Sequence, residues 1–168
     1  MRLAFIILGA TASLAAHGQT PPCSDTRTIE LVKRIFEQAI ERRAAGQPRA
    51  KDIVSGVMAK SSVTVQSIRT ARIDEKSDKH FCEGVLEIQL SPRSIAYLNT
   101  PEGRALLAKG FDTRNIRIEG NKATREIRYT SQGADDGKRH FAEAGNFQGL
   151  AELAYRLTAP EIADQLKQ

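Results

Sequence analysis

The sequence predicts an α+β protein: a curved antiparallel sheet of four to five strands, with an N-terminal amphipathic helix packed on one face and additional helices. Apolar residues recur at helical spacing between residues 29 and 44. A polar turn at 74–79 joins two strand-like segments, and short polar turns join further alternating segments between 115 and 144. We expect a single domain over residues 19–168, and the segment 91–122 is open to interpretation as an insertion.

Residues 1–18 have the pattern of a secretory signal peptide. Arg2 supplies the positive charge, residues 3–16 are apolar, and Ala16 and Gly18 place small residues at cleavage spacing. The apolar run is short and alanine-rich for a membrane span. We therefore expect a periplasmic or secreted protein, cleaved near Gly18, with no transmembrane anchor. Loss of Arg2 takes the formal charge from +5 to +4.

The first helix is predicted from a stripe of apolar residues. The stripe consists of Ile29, Val32, Phe36, Ala39, Ile40 and Ala44. Ser24 or Asp25 can cap its start, and Gly46 and Pro48 end it. A shorter helix is predicted at 52–59.

A β-hairpin is predicted next. The first strand, Val63–Ile73, is rich in β-branched residues, and its apolar parity slips between Val65 and Ile68, which predicts a bulge or bend. On the second strand, one parity carries Cys82, Leu86, Ile88 and Leu90. That alternation predicts one face on the core and the other in water.

The rest of the chain predicts helix, strands and helix in that order. Ser91-Pro92 starts a helix, Thr100-Pro101 restarts it, and Gly110 ends it. Strands are expected at 115–119, 123–131 and 139–144, separated by turns at 120–122 and 132–138. A last helix begins near Leu150, and Pro160 is expected to open a separate final segment.

Export to an oxidising compartment predicts a disulfide between Cys23 and Cys82. The bridge would close a loop of about 60 residues and stabilise the fold by up to ~4 kcal/mol in the chain-entropy account. A redox pair or metal thiolates are the alternatives, but there is no Cys-x-x-Cys and neither cysteine belongs to a ligand cluster.

The histidines His80 and His140 occupy similar places in two hairpins, 68–90 and 127–145. The similarity indicates either a duplication or two unrelated hairpins that use the same residue types in the same places. The two imidazoles are weak candidates for metal ligands, because a site needs three or four donors. We expect no metal, no cofactor and no enzymatic activity, since nucleophile-elbow, phosphate-loop and dinucleotide patterns are absent from the sequence.

Basic residues of the predicted strands are candidates for a binding surface. They are Arg69, Arg72, Arg117, Arg125 and Arg128. They predict a surface for an anionic partner, although the solvated outer face of a sheet would have the same composition. Arg125 and Arg128 differ in parity, so a single patch is not required. Export, modest charge and few aromatic residues exclude nucleic acid as the expected partner.

Several short features together resemble a family of small periplasmic proteins of Gram-negative bacteria. The features are Cys23-Ser24-Asp25, the helix from Ile29 to Phe36, Ile68-Arg69-Thr70, Cys82-x-Gly84-x-Leu86, Ile127-x-Tyr129 and Asp136-Gly137. The resemblance implies one disulfide and a helix on an antiparallel sheet, cystatin-like or NTF2-like in outline. It carries over no catalytic residue, and Val65-Gln66-Ser67 does not match the inhibitory cystatin loop Gln-x-Val-x-Gly.

The function expected from the sequence is that of an exported, non-enzymatic binding protein. Its partner would be another envelope or secreted protein, and an inhibitor or immunity-type protein is one concrete version. Two alternatives stay open: an NTF2-like small-ligand pocket or minor enzyme, and an envelope-associated structural protein. The sequence leaves open whether the protein forms a homodimer.

Overall fold

The computed structural model describes residues 22–108, 115–134 and 139–166. Within these ranges, five helices and five strands follow one another along the chain. They are α1 (Thr26–Ala44), α2 (Ala50–Ser61), β1 (Thr64–Asp74), β2 (Lys79–Gln89), α3 (Pro92–Leu98), α4 (Pro101–Ala108), β3 (Ile116–Glu119), β4 (Lys122–Gly133), β5 (His140–Gly145) and α5 (Gln148–Gln165). The predicted signal peptide, residues 1–18, lies outside the described residues.

The strands form one open antiparallel sheet in the order β1-β2-β4-β3, and β5 also pairs with β4. β2 pairs with residues 122–131 of β4. β3 and β5 therefore share the other edge of β4, at residues 122–125 and 128–133 respectively. The predicted α+β class, with its antiparallel sheet, is confirmed.

The helix α1 begins at an Asp25 cap, whose Oδ1 accepts a hydrogen bond of 2.8 Å from the backbone N–H of Arg27. The buried positions of α1 recur every three or four residues. They are Thr28, Val32, Phe36, Ala39, Ile40 and Ala44. The Phe36 ring meets Phe147 edge-on, with centroids 6.0 Å apart. Fully buried side chains such as Leu86 and Ile127 complete the core between helices and sheet.

The helices α2 and α5 pack closely because α2 carries a glycine at the contact. A Cβ on Gly56 would lie 2.8 Å from Ile162 Cδ1. The helix α5 is continuous through Pro160, so the expected break there is wrong. The turn around Pro160 is held by the burial of Ala159 and Ile162, and this packing outweighs the local cost of proline.

The bulge predicted in β1 is present. The pairing register with β2 shifts between Gln66 and Arg69, and Ser67 has a φ of 52°. The bulge packs over Gly84, where an added Cβ would lie 3.3 Å from the Gln66 carbonyl oxygen and 3.6 Å from Ile68 Cγ1. A second irregularity lies between Thr70 and Arg72.

The predicted disulfide between Cys23 and Cys82 is present, with a Cα–Cα distance of 5.6 Å. Both cysteines are buried. The bridge joins the segment before α1 to the centre of β2, beneath the helix layer. An intramolecular disulfide is typical of proteins from an oxidising compartment.

Candidate functional site

One face of the sheet is covered by helices, and within the described residues no helix covers the other, which is called the open face below. The alternation is clearest on β4, where every second residue from Ala123 to Ser131 is buried and the residues between them are exposed or partly exposed. Arg128, at the middle of the open face, keeps 78% of its side-chain surface exposed. Side chains on this face are therefore accessible to a partner.

A trough of about 410 Å³ crosses the open face. Cross-strand pairing aligns its lining residues in two rows. The first row is Arg72, Phe81, Thr130 and Glu143, and the second is Glu83, Arg128 and Gly145. Arg69 lies opposite Glu83, beside the trough at the end of the second row. The floor between the rows includes Cys82, Tyr129 and Ala144, whose side chains belong to the opposite face.

An aromatic ring lies at one end of the trough. The Arg72 guanidinium carbon is 4.1 Å from the Phe81 ring centroid, and Lys79 Nζ is 5.9 Å from the same centroid. Cations over a ring face are attracted by its quadrupole. The ring therefore holds the Arg72 guanidinium beside the trough.

Ion pairs lie across the trough and beside it. Glu83 accepts from Arg69 Nε at 2.9 Å, and its other oxygen lies 3.5 Å from Arg128 Nε. Lys79 Nζ pairs with Glu143 at 3.0 Å. These are exposed pairs, each contributing little to stability. The trough itself is lined by two cations, Arg72 and Arg128, and two carboxylates, Glu83 and Glu143. Beside it lie Arg69, Lys79 and Asp74, and Asp74 is opposite Lys79 and near Arg72. Four cations and three carboxylates leave a local formal charge of +1.

The structure brings together three of the five arginines predicted as a surface, namely Arg69, Arg72 and Arg128. Arg117 is also on the open face, but it lies on β3 opposite Thr124 of β4, outside the trough. Arg125 is only 4% exposed and lies on the helix-covered face, so its predicted place on the binding surface is wrong. Its parity, shared with Ile127 and Tyr129, is the sequence signal for that burial.

Phe81 and Glu83 are among the site residues that the sequence did not predict for the binding surface. The signal for Phe81 was an apolar residue on the polar parity of β2. Nothing local marks Glu83 as the partner of two arginines, because those contacts depend on how β1 and β4 align with β2.

The two histidines flank one serine on the helix-covered face. His80 lies opposite Ser131 in the β2–β4 register, and His140 follows on β5. His140 Nε2 lies 3.0 Å from Thr28 Oγ1 and 3.5 Å from the fully buried Ser131 Oγ. Within the described ranges, no group of three or more His, Cys, Asp or Glu residues could hold a metal ion.

This polar cluster attaches the start of α1 to the sheet. Thr28 also contacts Ser131 Oγ at 3.2 Å and donates to the Pro22 carbonyl at 3.3 Å. Tyr129 donates to the Cys23 carbonyl at 3.0 Å, and burial raises the pKa of Tyr129 to about 12. Ser131 is buried and its histidine lies closer to Thr28, so the geometry indicates a structural network rather than an activated nucleophile.

Burial lowers the pKa of His140, and the nearby Arg27 guanidinium lowers it further. The Asp25 carboxylate acts in the opposite direction. The pKa of Asp25 is itself lowered by its side-chain hydrogen bonds with Arg27. The neutral form of His140 is thus favoured in the folded protein.

Comparison with known proteins assigns the chain to no family: no family model, no curated protein and no solved structure matches it. The structure agrees with the outline that the sequence resemblance implied, namely one disulfide and helices on an antiparallel sheet. Among the helices in the described ranges, none combines the length and the hydropathy that a membrane span requires.

Proposed function

We propose that the chain is an exported, non-enzymatic binding protein that holds an acidic segment of another envelope or secreted protein on its open sheet face. The observation that carries the proposal is the local excess of positive charge beside an aromatic ring, on a face that no described helix covers. Complementary charge favours encounter with an acidic partner and fixes its orientation.

Export is supported by two independent features. Residues 1–18 have the composition of a signal peptide, and the Cys23–Cys82 disulfide is a form that persists in oxidising compartments. We infer a periplasmic or secreted location after cleavage near Gly18. An inhibitor or an immunity-type protein would have the properties required: a rigid, bridged scaffold and one accessible binding face.

The interior gives the alternative ligand pocket no support. The residues between α1 and the sheet, including Phe36, Ile40 and Leu86, are fully buried and in contact with the core. An NTF2-like pocket would lie in that space. Binding is therefore assigned to the outside of the sheet.

The test is crosslinking capture by the tagged, exported protein, compared among wild type, Arg128→Glu and Arg117→Glu. The two variants make the same charge change on the same face, but only Arg128 lines the trough. We expect Arg128→Glu to reduce capture of the main partner about tenfold or more, and Arg117→Glu to leave it nearly unchanged. Capture should also weaken as salt is raised.

Melting temperatures of both variants must stay close to wild type for the comparison to count. Equal capture by Arg128→Glu and Arg117→Glu would refute the assigned face. The absence of any saturable capture by the wild type would refute the binding role itself.

A further inference from the structure

The trough has a direction that limits how a partner can lie on it. Its lining residues come from β1, β2, β4 and β5 at one level of the sheet. A partner strand added to the sheet would run along one edge strand and hydrogen-bond to it, without lying across the open face. A segment that fills the trough must instead cross the strands.

The interior of the trough is lined by apolar groups, and it is open above Gly145 of β5. Ala71 and Phe81 line the side near β1. Gly145 has no side chain, and a Cβ placed there would meet no atom within 4 Å. The space is therefore able to accept an apolar side chain from outside, with the Phe81 ring as one wall.

Each carboxylate lining the trough has one cation at hydrogen-bond distance, and Arg72 and Arg128 are the two arginines of the lining without so close a carboxylate. Arg69 pairs closely with Glu83, and Lys79 pairs with Glu143. Arg128 Nε is 3.5 Å from Glu83, beyond the usual N–H···O distance of about 2.7–3.2 Å. The Arg72 guanidinium carbon lies 4.1 Å from the Phe81 ring centroid, and a contact with a ring occupies no carboxylate-binding geometry of its five N–H donors.

We propose that the trough is a binding site for a protein segment in which an apolar side chain is flanked by acidic residues. The apolar side chain lies against Phe81 and above Gly145, and the carboxylates bind Arg72 and Arg128 on either side. This inference rests on the proposed function, because it names the segment that the open face would recognise. The charge of +1 in and beside the trough fits an acidic protein better than a second copy of this basic chain.

The probe is an N-acetylated, C-amidated hexapeptide with one leucine between glutamates, titrated into the full mature protein and followed by amide chemical shifts. We expect saturable shifts at Arg72, Phe81, Arg128 and Gly145. A matched peptide with glutamine in place of glutamate should bind about tenfold or more weakly, because it lacks the carboxylates.

Two variants test the site from different directions. Gly145→Leu fills the trough without changing charge, and Arg72→Gln removes one cation without changing the floor. We expect each to weaken binding of the acidic peptide about tenfold or more, or about 1.4 kcal/mol. Thr124→Val, on the open face outside the trough, is the control and should bind as wild type.

The outcomes separate this inference from the proposed function. If Arg128→Glu abolishes partner capture while Gly145→Leu and Arg72→Gln capture normally, the open face stands and the trough site is refuted. Equal binding of both peptides, or no saturable shifts, also refutes the site. Binding to phosphatidylglycerol vesicles without peptide binding would replace the protein segment with lipid. Self-association that is lost in Gly145→Leu would replace it with a second copy.

Discussion

His140 links three parts of the molecule through one ring nitrogen. Its Nε2 faces Thr28 at the start of α1 and Ser131 on β4, while the residue itself begins β5. Burial favours the neutral imidazole, since a charged ring would lose its hydration. The sequence singled out this histidine as a weak metal ligand, whereas its contacts are those of a structural residue that holds helix and sheet together.

His140 makes the stability of the fold depend on pH. Because its folded pKa is lowered, the unfolded chain takes up a proton first as pH falls below the ordinary value of 6.5. The contribution is therefore fully present above pH 6.5 and is lost as pH falls towards the folded pKa. We expect the free energy of unfolding of wild type to fall more steeply than that of His140→Gln as the pH falls below about 6.5.

Urea unfolding at several pH values measures this difference. His140→Gln keeps a hydrogen-bonding side chain beside Thr28 and removes the titration, so it serves as the matched variant. Parallel pH curves for the two proteins would contradict the assigned role. Titration of the His140 ring by NMR should place its midpoint below that of an unfolded-state histidine.

At the scale of elements, glycines decide where backbones can approach. Gly103 is buried where α4 packs against the end of α3. Both helices lie in the segment 91–122, for which the sequence allowed the interpretation of an insertion. A Cβ on Gly103 would overlap the Tyr97 carbonyl oxygen and lie 2.7 Å from Leu98 Cα. Both neighbours are backbone atoms, which cannot turn away as a flexible side chain can.

We therefore expect Gly103→Ala to destabilise the protein by about 1–3 kcal/mol, because α3 and α4 must move apart to accept the methyl group. Gly145→Ala is the matched control, since its Cβ would contact nothing, and it should stay within about 0.5 kcal/mol of wild type. Denaturant unfolding measures both. Equal stability of the two variants would show that the α3–α4 contact is not close.

At the scale of the whole molecule, the disulfide connects residues 59 positions apart in sequence. It fixes the segment before α1 to β2, and Thr70 Oγ1 of the neighbouring strand β1 also contacts Cys23 Sγ at 3.3 Å. The bridge acts largely on the unfolded chain, whose freedom it reduces. It also holds Cys82 under the trough, so the binding face and the scaffold share one strand.

Replacing both cysteines by serine should lower the free energy of unfolding by about 2–5 kcal/mol. Reduction of the wild type should produce a similar loss, and the double-serine variant should be insensitive to the reductant. Chemical denaturation with and without dithiothreitol makes the comparison. An unchanged midpoint for the double variant would mean that the bridge does not support the fold.

Much of the fold was predictable because its signals are local. Helical spacing identified α1, alternation identified β2 and β4, and a slip in parity identified the bulge at Ser67. The disulfide between the two cysteines was predicted from the expected oxidising compartment alone. The helix break predicted at Pro160 was wrong because the local preference of proline takes no account of the packing of Ile162 against α2, which keeps α5 continuous.

The sequence by itself determined the helices, most strands, the disulfide and the basic character of the surface, since each depends on residues close together in the chain or on a small set of partners. Only the tertiary structure decided which arginines meet. Strand register places Arg72, Arg69 and Arg128 around Phe81 and Glu83, and helix packing buries Arg125. Register and layer packing join residues dozens of positions apart, and no local pattern specifies those distances.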